Sequence, residues 1–227
     1  MNPDADTLFC DGTFYMCPTQ FQQIYTVHAR IGDQMNPLVY SLLLSKSQAT
    51  YHCKDSLHYS RPRFNLQLNP TTVFLDFEAA VQKAIRVGFP AVSLKGCYFQ
   101  YAQCIWRKVQ QTGLQQLYAN NDDVRQSVRR AALEDIDDAD VPQDTTPFTD
   151  YNVTQWIDRD QQLWNHFETE GPRTTNRIEG WHRKLKKKVE HAHPNIYSII
   201  RVFHEIQASN EITRIQHAAG GQLRPRA

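Results

Sequence analysis

The chain has 227 residues, 41% of them hydrophobic and 11% aromatic, which is enough for a packed core and excludes wholesale disorder. Basic and acidic residues nearly balance, 25 against 24, so the net charge of +1 by itself indicates no class of partner. The longest apolar stretch, near Leu38–Leu44, is too short for a membrane helix, and the polar start of the chain is unlike a secretory signal. We therefore expect one domain, or two small ones, that does not associate with membranes.

The first third of the chain has the β-branched and aromatic composition of strands. It predicts strands over Thr7–Cys10, Phe21–Ala29 and Pro37–Leu44, linked closely enough to form an antiparallel meander. A helix is predicted over Gln48–His58 and a loop over Ser60–Pro70.

The middle of the chain alternates short apolar runs with helical spacing. Strands are predicted over Thr71–Leu75 and Ala91–Leu94, and helices over Phe77–Val87 and Tyr98–Thr112. Gly113 is placed to end the second helix in a left-handed conformation. This β-α-β-α order favours parallel strands flanked by helices.

The remaining sequence is mostly helical in pattern. It predicts a linker over Glu134–Pro147, an amphipathic aromatic segment over Tyr151–Phe167, and helices over Asp122–Leu133, Arg173–Val189 and Asn195–Gln216. The predicted fold is therefore an α/β ribonuclease H-like mixed sheet flanked by helices, with a helical C-terminal part. By element order alone, this is one of several α/β arrangements.

Charge is distributed unevenly despite the neutral total. Residues 134–160 contain nine acidic side chains and one arginine, whereas residues 173–188 contain seven basic side chains and one glutamate. The basic segment fits an anionic partner, and a solvated helix face explains it equally well. The five cysteines are odd in number and form no Cys-x-x-Cys pair, which argues against a disulfide framework, and no zinc-ligand spacing is recognised.

Three carboxylates stand at positions suited to a metal site: Asp11 after the first strand, Asp76 after the fourth, and Glu179 in a helix. If the first and fourth strands are neighbours, Asp11 and Asp76 lie side by side and a packed helix can add Glu179. Converging carboxylates repel one another and need cations, and Mg²⁺ or Mn²⁺ prefers such oxygen ligands. Two such ions about 3.5–4 Å apart can activate water and stabilise the leaving oxygen of a phosphodiester.

Each carboxylate also has a simpler interpretation. The pair Asp11-Gly12 is typical of a turn, and Asp76 could be the N-cap of the following helix. Glu179 could be an i,i+4 partner of Arg183.

Several longer motifs resemble one family. FCDGTF, FLDFEAAVQKAI, FPAVSLKGCYFQYAQCIWRKVQQTGL and RTTNRIEGWHRKLKKKV, in this order over roughly residues 8–207, resemble the transposase core of Mutator-like elements. The resemblance implies a ribonuclease H-like fold with a DDE triad of Asp11, Asp76 and Glu179 that binds two Mg²⁺ or Mn²⁺ ions. It also implies DNA strand cleavage and strand transfer at element ends and target DNA, in a nuclear protein that forms homo-oligomers and needs no small-molecule cofactor.

The chain departs from this family in three respects. Gln100 stands where many members have a histidine after Cys97, and glutamine supplies neither an imidazole ligand nor a proton switch near neutral pH. The sequence starts ten residues before Asp11, so we expect no zinc-finger module before the core. We expect a catalytic core over 1–217 with a shortened acidic insertion around 134–160, and a disordered tail over 218–227.

Residues around Glu179 add two further expectations. His182 could bond a phosphate or a metal-bound water, though a position at the edge of the core is the simpler interpretation, and Trp181 is expected in the core. Cys97 is a further accessory candidate. The residues expected to contact DNA phosphates are Arg177, Arg183, Lys184, Lys186, Lys187 and Lys188.

Two alternatives to an active enzyme stay open. The chain could be a host-adopted, catalytically inactive DNA-binding or interaction protein, or a decayed copy that folds poorly. The first alternative predicts DNA binding that survives Asp76→Asn, whereas an active core predicts metal-dependent nicking that this substitution abolishes.

Overall fold

The computed structural model describes residues 6–31, 34–51, 70–132, 145–166, 169, 173–189 and 191–220. The strands are β1 (Thr7–Thr13), β2 (Gln23–Ile31), β3 (Gln34–Leu43), β4 (Thr72–Leu75) and β5 (Ser93–Gly96). The helices are α1 (Ala79–Gly88), α2 (Tyr98–Gln111), α3 (Gln115–Asn120), α4 (Asp122–Ala132), α5 (Thr146–Asn152), α6 (Gln161–Trp164), α7 (Asn176–Val189) and α8 (Ile196–Ala218). A π-helical turn, Val153–Ile157, follows α5.

The strands form one mixed five-stranded sheet in the order β3-β2-β1-β4-β5. Strands β1, β2 and β3 form the predicted antiparallel meander, in which Asp11 pairs with Thr26 and Thr26 with Tyr40. An irregularity between Val27 and His28 shifts the register of β2 against β3. The predicted α/β class, a mixed sheet flanked by helices with further helices at the C-terminal end, is confirmed.

Two expectations about the acidic residues are corrected by the strand and helix boundaries. Strand β1 continues three residues beyond Cys10, and Asp11 and Gly12 pair with β2, so Asp11 lies within the strand. The turn interpretation of Asp11-Gly12 is therefore wrong. Helix α1 has Glu78 at its N-cap position, so the N-cap interpretation of Asp76 is also wrong.

The helical part contains breaks that periodicity did not predict. Helix α2 ends before Gly113, whose φ of 74° is the left-handed conformation predicted for it. The short helix α3 follows as an unpredicted element. The predicted segment Tyr151–Phe167 is divided among the end of α5, the π-helical turn and α6.

Several predicted features fall partly or wholly outside the described residues. The first residues of the predicted helix Gln48–His58 form a turn, and the rest of it lies outside them, as does the loop over 60–69. The predicted linker Glu134–Pro147 lies outside the described residues as far as residue 144, and its last two residues are the first two of α5. The tail is described only to Gly220. Among the described helices, none has the length and apolar character needed to cross a membrane.

The chain divides into two compact units, each with its own core. Unit 1 comprises Met1–Val73, Glu78–Val92 and Asn176–Ala227, and unit 2 comprises Phe74–Phe77 and Ser93–Thr175. In unit 1, the meander packs against apolar side chains of α7 and α8, among them Trp181, Leu185, Ile199 and Phe203. In unit 2, the core is rich in aromatic rings, among them Tyr101, Phe148, Trp156 and Trp164.

Candidate active site

Asp11 lies in the middle strand of the sheet with its side chain almost buried, 14% exposed. Its Oδ1 accepts a hydrogen bond of 2.8 Å from the Gly12 backbone N–H. Cross-strand partners share a face of the sheet, so Asp11 lies on the same face as Thr26 and, two residues further along β2, His28. The carboxylate is therefore presented from regular structure and not from a loop.

A short chain of buried hydrogen bonds holds the Asp11 backbone. The Thr26 hydroxyl donates to the Asp11 carbonyl oxygen at 3.2 Å, and His28 Nε2 lies 3.0 Å from the same hydroxyl. Because the hydroxyl has one proton and gives it to the carbonyl, Nε2 of His28 must be the donor to Thr26. Burial, with a smaller effect of nearby His182, lowers the pKa of His28 to about 3, so this imidazole is neutral at neutral pH.

His182 of α7 approaches the carboxylate from above the sheet. Its Nδ1 lies 3.6 Å from Asp11 Oδ2, a separation that would be an ion pair if the ring were protonated. Burial lowers the pKa of His182 to about 4, so the ring is neutral at neutral pH. Its Nε2 is buried and has no hydrogen-bond partner among the described residues. His182 thus lies at the edge of the core, and its ring is also close to the Asp11 carboxylate.

Trp181 fixes the position of α7 on the meander. Its ring meets His28 edge-on, with centroids 4.9 Å apart, and lies 5.8 Å from the ring of Tyr40. Tyr40 in turn stacks on Phe203 of α8 at 4.3 Å. Trp181 is buried, as predicted, and this aromatic packing holds the neighbouring His182 beside Asp11.

Glu179 lies in the first turn of α7, three residues before His182, and is partly buried. Residues three apart lie on the same side of a helix, so Glu179 and His182 share a side of α7. Asp76 directly follows β4, is partly buried, and belongs to unit 2. The order of strands makes β4 the neighbour of β1, which is the condition on which the prediction for Asp11 and Asp76 depended. Their joint role as a triad stays a prediction.

The basic residues of α7 are exposed along the second half of the helix, at Arg183, Lys184, Lys186, Lys187 and Lys188. Arg177 is in the same helix, but its side chain is outside the described part of the chain. Lys188 lies 3.5 Å from Glu205 of α8, and Lys186 lies over the ring of Tyr15 with its Nζ 4.1 Å from the centroid. The buried face of the same helix bears Ile178, Trp181, Leu185 and Val189. A solvated helix face and a phosphate-binding face both fit this arrangement.

Cys97, the accessory candidate, occupies the N-cap position of α2 and is buried. Thr175 donates to its sulfur from the backbone nitrogen at 3.5 Å and from the hydroxyl at 3.2 Å. Its described contacts are therefore structural. Nearby in unit 2, the imidazole of buried His166 donates from Nε2 to the Gly96 carbonyl at 2.8 Å.

The sequence analysis did not single out Thr26 and His28. Both lie in the segment predicted as the second strand, and their spacing of two puts them on one face with any residue paired to Thr26. This spacing of two residues was the sequence signal from which both residues could have been found. It became informative only once the register showed that the paired residue is Asp11.

The Asp11 carboxylate is the kind of oxygen ligand that a hard divalent cation prefers. His182 beside it has a buried Nε2 without a hydrogen-bond partner among the described residues, and Glu179 is a second carboxylate in the same helix as His182. Asp11, Asp76 and Glu179 stay the predicted ligands of the ions. Within the described ranges, no group of three or more His, Cys, Asp or Glu side chains is already arranged as a metal cluster.

No model of a known protein family matches the chain, and comparison with curated proteins also gives no match. The interpretation of the site therefore depends on its own residues and geometry.

Proposed function

We propose that this chain is a metal-dependent DNA transposase core of the Mutator-like type, which cleaves DNA strands and joins them to target DNA. The observation that supports this most directly is the Asp11 carboxylate, fixed in the middle strand beneath the helix that bears Glu179 and His182. A buried acidic group is costly, and such groups are commonly kept where chemistry needs them.

The finer fold assignment, a ribonuclease H-like fold, belongs to the same proposal. Its support is an antiparallel meander followed by two further strands on the side of β1, in the order β3-β2-β1-β4-β5. In this arrangement, the first and fourth strands are neighbours, and an acidic residue lies in or directly after each. The sheet order, taken with the helix bearing Glu179, supports assigning the triad to Asp11, Asp76 and Glu179.

Each residue has a distinct part in the proposed reaction. Asp11, Asp76 and Glu179 hold two Mg²⁺ or Mn²⁺ ions, which when bound activate the attacking oxygen and neutralise charge on the phosphate. Thr26 and His28 keep the Asp11 peptide in place through their hydrogen bonds. Nδ1 of the neutral His182 ring faces the Asp11 carboxylate and carries the ring proton, so its Nε2 can accept a hydrogen bond from a water. Positioning and charge neutralisation are the main requirements of phosphoryl transfer.

The partners follow from the same proposal. The exposed basic side chains of α7 lie on the helix of Glu179 and can follow the phosphates of element ends and target DNA. Homo-oligomers and a nuclear location are proposed with the family.

A Mn²⁺ titration followed by thermal unfolding tests the metal site without a known DNA end. Ligand binding to the folded state alone raises stability by about 2.7 kcal/mol at a hundredfold excess over Kd. We expect this rise in the parent and its loss in Asp11→Asn, Asp76→Asn and Glu179→Gln. The matched control is Asp123→Asn, which neutralises an exposed carboxylate on α4 and should keep the rise. A parent that does not respond, or triad variants that respond fully, would overturn the proposed site.

A non-catalytic DNA-binding protein is the second candidate, favoured by Gln100 and by the position of the basic side chains on the surface of α7. The two candidates differ in a nicking assay on supercoiled plasmid with Mn²⁺. An active core nicks and loses nicking in Asp76→Asn, whereas the second candidate binds DNA in both forms and nicks with neither. Equal nicking by both proteins would mean that the assigned site is wrong.

A further inference from the structure

The loop that follows β1 exposes two consecutive aromatic rings. Phe14 is 48% and Tyr15 43% exposed, whereas the next two residues, Met16 and Cys17, are buried in the core of unit 1. The loop thus reaches the core with two side chains and directs its two largest rings to solvent. Both rings are therefore accessible to a ligand.

The loop is held rigidly at three backbone positions. The Cys17 N–H donates to the Phe14 carbonyl at 3.0 Å, and the His193 N–H donates to the Tyr15 carbonyl at 3.0 Å. The His193 Nδ1–H donates to the Cys17 carbonyl at 2.9 Å. Because the backbone is already ordered, a ligand that contacts these rings loses little free energy in ordering them.

A lysine accompanies each ring. The Nζ of Lys46 lies 4.5 Å from the centroid of Phe14, and the Nζ of Lys186 lies 4.1 Å from that of Tyr15. Lys46 is also 3.9 Å from a carboxylate oxygen of Glu78, an ion pair that helps to keep it near its ring. Aromatic faces interleaved with ammonium groups match a ligand that has flat rings joined by anionic links.

We propose that Phe14, Tyr15, Lys46 and Lys186 bind unpaired nucleotides of a DNA strand. The bases stack on the two rings, and the ammonium groups contact the adjoining phosphates. Bases within a duplex already stack on each other, so the site selects a strand that is locally unpaired. The inference deepens the proposed function, and it relies on that function for the choice of DNA as the ligand.

The position of the rings in the chain limits the distance between the unpaired nucleotides and the phosphate that is cleaved. Phe14 is three residues after Asp11, so their Cα atoms are at most about 10 Å apart in an extended strand. At a rise of about 3.4 Å per nucleotide, this is roughly three nucleotides. The unpaired nucleotides therefore flank the phosphate that Asp11 serves, and strand separation accompanies cleavage.

Fluorescence anisotropy with a labelled oligodeoxynucleotide of about 12 residues tests this site, in EDTA so that no cleavage occurs. We expect the parent to bind the single strand more tightly than the duplex of the same sequence. Phe14→Ala and Tyr15→Ala should each weaken single-strand binding about 5- to 150-fold, the range that corresponds to loss of one base–aromatic stack.

Matched variants separate stacking from general surface effects. Phe14→Tyr and Tyr15→Phe keep the rings and should bind like the parent. Tyr197→Ala removes an aromatic side chain that is 80% exposed on α8 and should leave binding unchanged. A strand with abasic sites keeps its phosphates but has no bases to stack. The parent should bind it as weakly as the Phe14→Ala/Tyr15→Ala double variant binds the normal strand.

Several results would overturn the inference: unchanged single-strand binding by the double variant, an equal loss in Tyr197→Ala, or a preference of the parent for duplex. Self-association that the double variant loses, with DNA binding unaltered, would assign the rings to a protein contact instead. If nicking is lost in Asp11→Asn but kept in the Phe14→Ala/Tyr15→Ala double variant, this inference is wrong and the proposed function stands. If DNA binding depends on the rings but the Mn²⁺ response is the same in the parent and in Asp11→Asn, the proposed function is wrong and this inference stands.

Discussion

The two units of the chain use buried polar groups differently. In unit 2, buried polar side chains bond to the backbone or to an uncharged side chain: Asn152 donates to the Ala131 carbonyl, Trp164 to that of Trp156, and the Thr175 hydroxyl to the Cys97 sulfur. In unit 1, they bond to other side chains and lead to acidic residues, as when Gln23 donates to Tyr51 and Tyr51 to Glu78. His28 donates to Thr26, and the Thr26 hydroxyl donates to the backbone carbonyl of Asp11.

This difference distinguishes packing from positioning. A side chain that bonds to a carbonyl satisfies the backbone and stabilises a local fold. A network of side chains that ends at an acidic residue, at the carboxylate of Glu78 or at the backbone of Asp11, fixes the place of one ionisable group, and the low dielectric around it strengthens its hydrogen bonds. We therefore expect substitutions in unit 2 to affect stability, and substitutions beside Asp11 to affect both stability and metal binding.

The largest effect is expected from the aromatic core of unit 2. Phe148→Ala should lower the free energy of unfolding by about 3–5 kcal/mol, because a fully buried ring leaves a cavity. Urea unfolding followed by circular dichroism measures this loss. Phe99→Ala, which truncates an exposed ring of α2, is the control and should cost less than about 1 kcal/mol. Equal losses in the two variants would mean that the core of unit 2 is assigned wrongly.

The second prediction tests the comparison directly with two buried hydrogen bonds. Thr26→Val removes the Thr26 hydrogen bonds to the Asp11 carbonyl and to His28 Nε2, and Asn152→Leu removes the Asn152 bond to the Ala131 carbonyl. Each should cost about 1–3 kcal/mol of unfolding free energy.

The two variants should differ in their response to metal. At a temperature where both are folded, Mn²⁺ should bind more weakly to Thr26→Val and normally to Asn152→Leu by calorimetry. Thr26→Ser keeps the hydroxyl and should restore binding. Equal metal affinity in both variants would remove the distinction between the units.

A third prediction concerns acid stability. The pKa of His28 is about 3 in the folded protein against about 6.5 unfolded, so the unfolded chain binds the proton first as the pH falls. The stability that depends on neutral His28 is complete above pH 6.5 and is lost progressively towards pH 3. Between pH 6.5 and pH 5, this loss is at most about 2 kcal/mol.

His28→Gln keeps a donor for Thr26 without a titrating ring, so its unfolding free energy should change less over this range. Burial also lowers the pKa of His166 in unit 2, while its hydrogen bond to Gly96 opposes the shift. His166→Gln should therefore flatten the pH dependence less than His28→Gln. Chemical unfolding at a series of pH values measures both. A larger flattening in His166→Gln than in His28→Gln would contradict the assignment of the pH dependence to His28.

The smallest effect is expected on the exposed face of α7. Lys188→Ala breaks the exposed pair with Glu205 and should change stability by less than about 1 kcal/mol. If Lys188 contacts a DNA phosphate, the same substitution lowers the salt dependence of duplex binding by about one unit of slope. Anisotropy titrations at several salt concentrations measure that slope. An unchanged slope would remove Lys188 from the DNA-binding face.

Local patterns were sufficient to predict most elements of the fold. Alternation and β-branched residues predicted all five strands, and 3.6-residue spacing predicted α1, α2, α4, α7 and α8 to within a few residues. Gly113 could be assigned because a left-handed C′ residue is a local requirement. These features depend on neighbours in the chain, which the sequence displays directly.

The site depends on contacts between distant parts of the chain. The sequence indicated Asp11 and Glu179 by residue type and position, and Trp181 as a core residue. The extension of β1 through Asp11, the pairing with Thr26, the support from His28 and the approach of His182 all required the register of β1 on β2 and the packing of α7. Burial and hydrogen bonding between remote segments determine these features, and no local periodicity encodes which remote residue will be the partner.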